Sequence, residues 1–313
     1  MNSTTDQSQA IGIAATTASY LLWGILPLYW KLVQDVSPVE ILAHRIVWSF
    51  VFMILILMAV GKIKQLKVDL KELITHRKRL FGISLASVTI SVNWGVYIWA
   101  VNTDHVVQAS LGYYINPLVS ILLGLLVLKE KITKWQTISF ILASIGVINL
   151  TIYFGHVPWL ALALAVSFGV YGLIKKLVQL GAMVGLAIET LIITPFALLF
   201  LSSVHSGGGG TFAADWSLSL LLMGGGIATA IPLLLFAIGA KRIPLSMVGF
   251  LQYISPTITL LLGVFLYKEE FTDTHLVSFI FIWMALTVYT ISKTKWFVLL
   301  ETKLVPSKKS MQG

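Results

Sequence analysis

Tyr114-Ile-Asn-Pro-Leu-Val-Ser-Ile-Leu-Leu-Gly-Leu-Leu-Val-Leu-Lys-Glu-Lys-Ile-Thr133 returns 139 residues later, without a gap, as Tyr253-Ile-Ser-Pro-Thr-Ile-Thr-Leu-Leu-Leu-Gly-Val-Phe-Leu-Tyr-Lys-Glu-Glu-Phe-Thr272. Nine of the twenty positions are identical, including Pro117/Pro256, Gly124/Gly263 and Lys129-Glu130/Lys268-Glu269. Shared hydrophobicity alone does not select the same proline, glycine and charged pair. A weaker echo sets Lys31-Leu-Val-Gln34 against Lys176-Leu-Val-Gln179. The chain therefore reads as a duplication, with halves at 1–155 and 156–292 and a basic tail at 293–313.

Both copies are too apolar for water. Of 313 residues, 57% are hydrophobic and 11% charged, with mean hydropathy +0.89. A soluble domain carries about 25% charge, so a soluble enzyme is excluded and lipid is the solvent for most of the length. A membrane span needs roughly 20 apolar residues to cross about 30 Å of hydrocarbon. Ten such segments are expected, at 11–32, 39–60, 80–101, 106–128, 135–153, 158–174, 184–204, 217–240, 245–267 and 274–292. Met1–Ala10 has no basic region, so the first span does not read as a signal peptide. The chain has no Cys, which removes disulfides, thiolate metal sites and Cys nucleophiles.

The net charge of +9 is distributed by topology. Of 22 basic residues, 19 fall in alternate connections and the tail, seven of them between residues 61 and 79 and a pair at Lys175-Lys176. Only Lys31 and Lys268 fall on the other side, and Arg45 lies within a span. Basic loops stay cytoplasmic, so both termini are expected inside, and nucleic-acid binding is not implied. Five spans per half is odd, which requires the second half to insert upside down. The aligned loops agree: Lys129-Glu-Lys-Ile-Thr-Lys134 nets +2, and Lys268-Glu-Glu-Phe-Thr-Asp273 nets −2. The expected fold is thus an all-α integral membrane protein of ten transmembrane helices, built as two inverted five-helix repeats. Inverted repeats of this kind build carriers with a midplane site between the halves.

Polar groups inside the spans mark candidate positions. Pro117 and Pro256 each lack an N–H, and are expected to open the helix at the carbonyls of Tyr113 and Gln252. In lipid, such carbonyls are buried in protein or line a wet cavity. Ser110, Tyr113, Pro117, Ser120 and Gly124 form a stripe mirrored by Gly249, Gln252, Pro256, Thr259 and Gly263. Close helix packing explains the small residues; Tyr113 and Gln252 fit a lined cavity better. Asn93 and Tyr97 share a face of the third span, beside Trp94. At the repeat position of Asn93 stands Pro232, preceded by Gly224-Gly-Gly226, so the eighth span is expected to be irregular. Gly207–Gly210 read as a flexible external loop. Intramembrane charge is costly and functional by default. Arg45 lies about 9 Å from the outer end and Glu189 about as far from the inner end. Both are candidates for gating, coupling or solute recognition, with Glu189 able to take a coupling proton. Glu40 is expected only to snorkel to the interface.

Together, Ala109-Ser-Leu-Gly-Tyr-Tyr-Ile-Asn-Pro-Leu118, Ser167-Phe-Gly-Val-Tyr171, Glu189 with Pro195, Phe250-Leu-Gln-Tyr-Ile-Ser-Pro-Thr257, Trp23-Gly24 before Pro27, and His44-Arg45 resemble the RarD-type permeases, in the EamA branch of the drug/metabolite transporter superfamily. The resemblance covers nearly the whole chain. It implies a ten-helix carrier of the bacterial plasma membrane with a cavity between its repeats. Relatives export amino acids, metabolites or drugs, and the RarD-type name carries an association with chloramphenicol. On this reading the solute contacts Trp23, Asn93, Trp94, Tyr97, Tyr113, Asn116, Tyr171, Gln252 and Tyr253, while Arg45 and Glu189 gate or couple. The expected partners are a small-molecule solute and lipid, with protons as the candidate coupling ion and with no nucleic acid, cofactor or metal.

Rival classes fare worse. An intramembrane enzyme would need His-Glu-x-x-His or paired deep carboxylates, and neither occurs. A retinal protein would need a buried Lys, yet every Lys reads as lying in a loop, at a span end or in the tail. A passive channel or scaffold shares this composition and stays open as the alternative.

Overall fold

The computed structural model describes residues 2–102, 106–153, 155, 159–178, 180–212, 215–266 and 271–292, with side chains described outside 2–5 and 98–110. The basic tail at 293–313, the charged loop Lys268-Glu269 and the connection at 103–105 lie outside this set. Among the described residues all regular structure is helical. In order come α1 (Asn2–Trp30), α2 (Pro38–Ala59), α3 (Ile63–Thr75), α4 (Arg77–Asn102), α5 (Val106–Leu126) and α6 (Lys134–Tyr153). They are followed by α7 (Trp159–Leu177), α8 (Ala182–Ser206), α9 (Trp216–Ala240), α10 (Leu245–Gln252), α11 (Ile254–Leu261) and α12 (Asp273–Ser292). Lys31–Val33 form a 3₁₀ turn and Leu262–Leu266 a π-helical segment. Among the described residues nine stretches are long and apolar enough to cross a membrane, and Leu111–Leu126 is a shorter apolar one. Helices dominate because lipid offers the backbone no hydrogen bonds, so each span must satisfy its own.

The basic connection 61–79 is not a plain loop. It contains α3, whose Leu66, Asp69 and Leu73 are buried at helical spacing while Lys64, Lys67 and Lys71 stay exposed. The helix starts are locally encoded: Pro38 opens α2, and the Asp215 side chain accepts from Ser217 N (2.9 Å) to cap α9.

The chain forms two compact units. One comprises Met1–Leu128 with Pro158–Glu269, the other Lys129–Val157 with Glu270–Gly313. Within the first, α1 packs on α9, α10 and α11; α2 on α8 and α9; α4 on α7 and α8; and α5 on α7 and α10. Within the second, α6 packs on α12, and Asn149 Nδ2 donates to Ser278 Oγ (2.8 Å). The α5–α10 crossing depends on a missing side chain. A Cβ at Gly249 would stand 2.6 Å from the Pro117 carbonyl oxygen.

The two prolines behave differently. α5 runs unbroken through Pro117, whereas the ninth span divides at Tyr253, three residues before Pro256. Thr257, standing where α5 has Leu118, donates its hydroxyl to the Tyr253 carbonyl (2.8 Å). Such Ser/Thr back-bonding bends helices. The eighth span, expected to be irregular, is the continuous helix α9 with Pro232 inside it. Ser19 Oγ of α1 donates to the Pro232 carbonyl (2.8 Å), so the adjacent helix supports the region.

Candidate functional site

Arg45 stands about two turns into α2. Its Nε donates to Thr229 Oγ1 of α9 (2.9 Å), and that hydroxyl donates onward to the Gly225 carbonyl (2.7 Å). The guanidinium carbon lies 4.5 Å from the centre of the Trp30 ring and 5.5 Å from that of Trp94. The two indoles hold the charge by their quadrupoles. Tyr97 and Tyr113 meet edge to face, centroids 6.0 Å apart, within electrostatic reach of Arg45. Tyr97 and Tyr113 are 37% and 47% exposed. The five side chains therefore border an open recess.

A narrow cavity with room for about one water adjoins this group at Trp94 and Thr229. Trp94, Ser49, Thr229, Tyr171, Thr190 and Glu189 are among its walls. Glu189, 2% exposed, accepts from Lys175 Nζ at 2.7 Å and from the Tyr171 hydroxyl at 3.1 Å. Tyr171 and Lys175 lie one turn apart on α7, so a single helix face delivers both donors. A second small cavity is lined by Lys175, Glu189, Gly185, Ile83 and Lys241. Glu189 borders both cavities, and its ion pair with Lys175 stands between them.

Lys241 connects α9 to α10 beside this second cavity. Burial, and then repulsion from Lys175, lower its pKa to about 8 from an ordinary 10.5; attraction to Glu189 opposes the shift. A base with a depressed folded pKa destabilises the fold while charged, below about pH 8. That cost disappears as pH rises from there to the unfolded value. Lys241→Met should therefore raise the melting temperature at pH 7 and lose this advantage at pH 10.5. Melting curves of purified protein at both pH values check this.

The family models agree with the sequence. The EamA-like transporter family matches residues 10–152 and again residues 157–291. The chain is a RarD-type member of the EamA-like transporter family. It is 48% identical to the uncharacterized transporter YojE of Bacillus subtilis, over 91% of this chain and 95% of that protein. It is 40% identical to Protein RarD of Escherichia coli, over 89% of this chain and 93% of that one. A solved crystal structure of a protein 20% identical superposes with a TM-score of 0.68, over 91% of this chain and 98% of its own; it shares the fold. The permease is thus a multi-pass membrane protein of a transporter family, not of an enzyme family.

Within this permease the expected site residues divide into groups. Trp94, Tyr97 and Tyr113 gather at Arg45, and Tyr171 at Glu189. Trp23 joins a buried aromatic cluster, 5.7 Å from Phe168 and 5.8 Å from Phe236, and Tyr171 stacks on Phe236 at 5.9 Å. Asn93 binds α7 instead, donating to the Leu164 carbonyl and to Ser167 Oγ, both at 2.9 Å. Gln252 Oε1 accepts from Ser120 Oγ at 3.3 Å, joining α10 to α5. Asn116 and Tyr253 are buried away from the recess residues named above, and neither Asn116 Oδ1 nor the Tyr253 hydroxyl has a partner among the described residues.

Sequence reasoning missed Trp30, Thr229 and Lys175. Lys175 was expected as a loop cation but is 3% exposed and ion-paired. The signal was the deep Glu189, which needs a counter-charge, and a Tyr–Lys pair at i, i+4 on α7 able to supply it. The excluded buried Lys therefore exists, already neutralised by a carboxylate. Glu40 also departs from expectation. It is 3% exposed, and its Oε1 accepts from Thr211 N (2.8 Å) and Thr211 Oγ1 (3.0 Å). Phe212 stacks on His44 at 4.8 Å, so the segment after Gly210 is fastened to α2. Four glycines hid this: the anchoring residues come just after them.

Proposed function

We propose that this permease is a secondary transporter of a bacterial inner membrane, exporting small metabolites, amino acids or drugs by alternating access. In this reading ten spans form two inverted five-helix repeats, 1–155 and 156–292, with both termini and the 293–313 tail cytoplasmic. Solute occupies the recess at Arg45, Trp94, Tyr97 and Tyr113, and the Lys175–Glu189–Tyr171 cluster closes the inner side. The observation that carries this reading is the buried ion pair with a cavity on either side. Polar side chains trace a route from Arg45 to Lys241 that is interrupted at one charged contact, which suits a gate and not a standing pore. Glu189 is the carboxylate that would carry a coupling proton in this reading.

Helix pairing supports the repeat. α5 on α7 has its mate in α1 on α10 and α11, α4 on α7 in α9 on α1, and α2 on α9 in α8 on α4. Exchanging the first five spans for the second five returns these principal pairings, as an inverted carrier requires. Chloramphenicol, suggested by the RarD resemblance, is uncharged and would use the aromatic walls.

The chain's lack of cysteine provides the test. Single cysteines at Glu130, Glu269 and Ile193, the last on the cavity beside Glu189, are labelled with an impermeant maleimide in oriented vesicles. Glu130→Cys should react from the cytoplasmic side and Glu269→Cys from the outside. Ile193→Cys should react from outside, and gain inner reactivity when Lys175→Met is added. Labelling of 130 and 269 from one face ends the inverted repeat. Equal labelling of Ile193→Cys from both faces without the second substitution favours a channel.

A further inference from the structure

We infer that Arg45 anchors the carboxylate of a planar, singly charged aromatic solute. This rests on the transport reading above and names the substrate class of its recess. The starting point is a cation without a counter-charge. Among the described residues the ion pairs are His44–Glu40, Arg79–Glu72 and Lys175–Glu189, and Arg45 is in none of them. The two intramembrane carboxylates are already engaged: Glu189 by Lys175 and Tyr171, Glu40 by Thr211. A guanidinium inside a membrane bundle is costly unless an anion accompanies it. The fold holds it in place, and among the described residues no carboxylate pairs with it.

The manner of holding specifies the ligand. Thr229 Oγ1 directs its own hydrogen to Gly225 O, which leaves its lone pair for Arg45 Nε. Among the described residues the two terminal nitrogens have no hydrogen-bond partner. A rigid pair of N–H groups matches the two oxygens of a carboxylate. Trp30 and Trp94 lie against the guanidinium and Thr229 holds its Nε, so the cation is positioned before the ligand arrives. Among the described residues Arg45 is the guanidinium at this recess and has no ion-pair partner, which matches a monoanion; the buried Lys175 is already paired with Glu189. The half-exposed rings of Tyr97 and Tyr113, set edge to face, then offer an aromatic surface for the body of the solute.

The test uses the full-length protein in detergent, with melting temperature as readout. The probes are 2-naphthoate, its uncharged isostere 2-naphthamide, and sodium chloride. Naphthoate should raise the melting temperature in a concentration-dependent way, with naphthamide and chloride giving little shift. Arg45→Gln should remove the naphthoate effect. Arg45→Lys, which keeps the charge but not the fork, should weaken apparent affinity at least about tenfold. If Arg45→Gln does not fold, the Lys variant decides alone. An equal shift by naphthamide, an equal shift by chloride, no shift with naphthoate, or unchanged affinity in Arg45→Lys would each overturn the assignment. Counterflow in liposomes separates this from the transport reading. Naphthoate binding without flux leaves the Arg45 anchor standing and removes the transporter. Flux of uncharged chloramphenicol, undiminished in Arg45→Gln and not inhibited by naphthoate, does the reverse.

Discussion

Lys175→Met should destabilise the protein by about 3–5 kcal/mol, the usual result of stripping one partner from a buried ion pair. Lys175 and Glu189 are 3% and 2% exposed, so water cannot replace the missing charge. The Tyr171 hydroxyl would remain on Glu189 Oε2, and a single neutral donor cannot compensate a carboxylate. Adding Glu189→Leu should restore most of the loss, because exchanging a whole buried pair for apolar groups of similar volume is often neutral or stabilising. Chemical or thermal unfolding of both variants in detergent measures this coupling directly. A single variant as stable as the parent would mean that the pair is solvated and cannot act as a barrier. If the pair is the gate proposed above, function should diverge from stability in the double variant, which is expected to fold but to lack the charged closure.

The second large effect lies at the crossing of α5 and α10. In Gly249→Ala the new methyl would stand 2.6 Å from the Pro117 carbonyl oxygen, 2.7 Å from Ile121 Cγ1 and 3.2 Å from Ile121 N. Two of these are backbone atoms of a helix and cannot rotate aside. Overpacking of this kind costs about 1–3 kcal/mol, and here it also pushes apart the helices joined by Ser120 and Gln252. Gly95→Ala is the control: its Cβ meets nothing within 4 Å, and it should gain about 0.5–1 kcal/mol from helix propensity. A Gly249→Ala variant as stable as Gly95→Ala would show that α5 and α10 are not in close contact. If the two helices slide during transport, flux should fall even where the variant folds.

Several features were legible because they belong to one segment at a time. The expected spans at 39–60, 135–153 and 217–240 correspond to Pro38–Ala59, Lys134–Tyr153 and Trp216–Ala240. Lipid forces this result, since an apolar stretch of sufficient length has no alternative to a helix. The internal repeat and the motifs around Pro117 and Pro256 pointed to the RarD type, and the family match agrees. The basic stretch at 61–79 was legible as charge but not as α3, whose buried face is only Leu66, Asp69 and Leu73, one of them acidic. Arg45 and Glu189 stood out as costly charges.

What each charge meets was decided elsewhere. Lys175 looked like any lysine at a span end until α8 brought Glu189 within 2.7 Å of it. Asn93 looked like a cavity group until α7 offered it Leu164 O and Ser167 Oγ. Trp30, Trp94 and Thr229 come from α1, α4 and α9, and only the packed bundle brings them to Arg45. Hydropathy is a contest between a segment and its solvent, so it can be read along the chain. Partner choice is a contest among the faces of different helices, 14 residues apart for Lys175–Glu189 and 184 for Arg45–Thr229, and it resolves only when the helices pack.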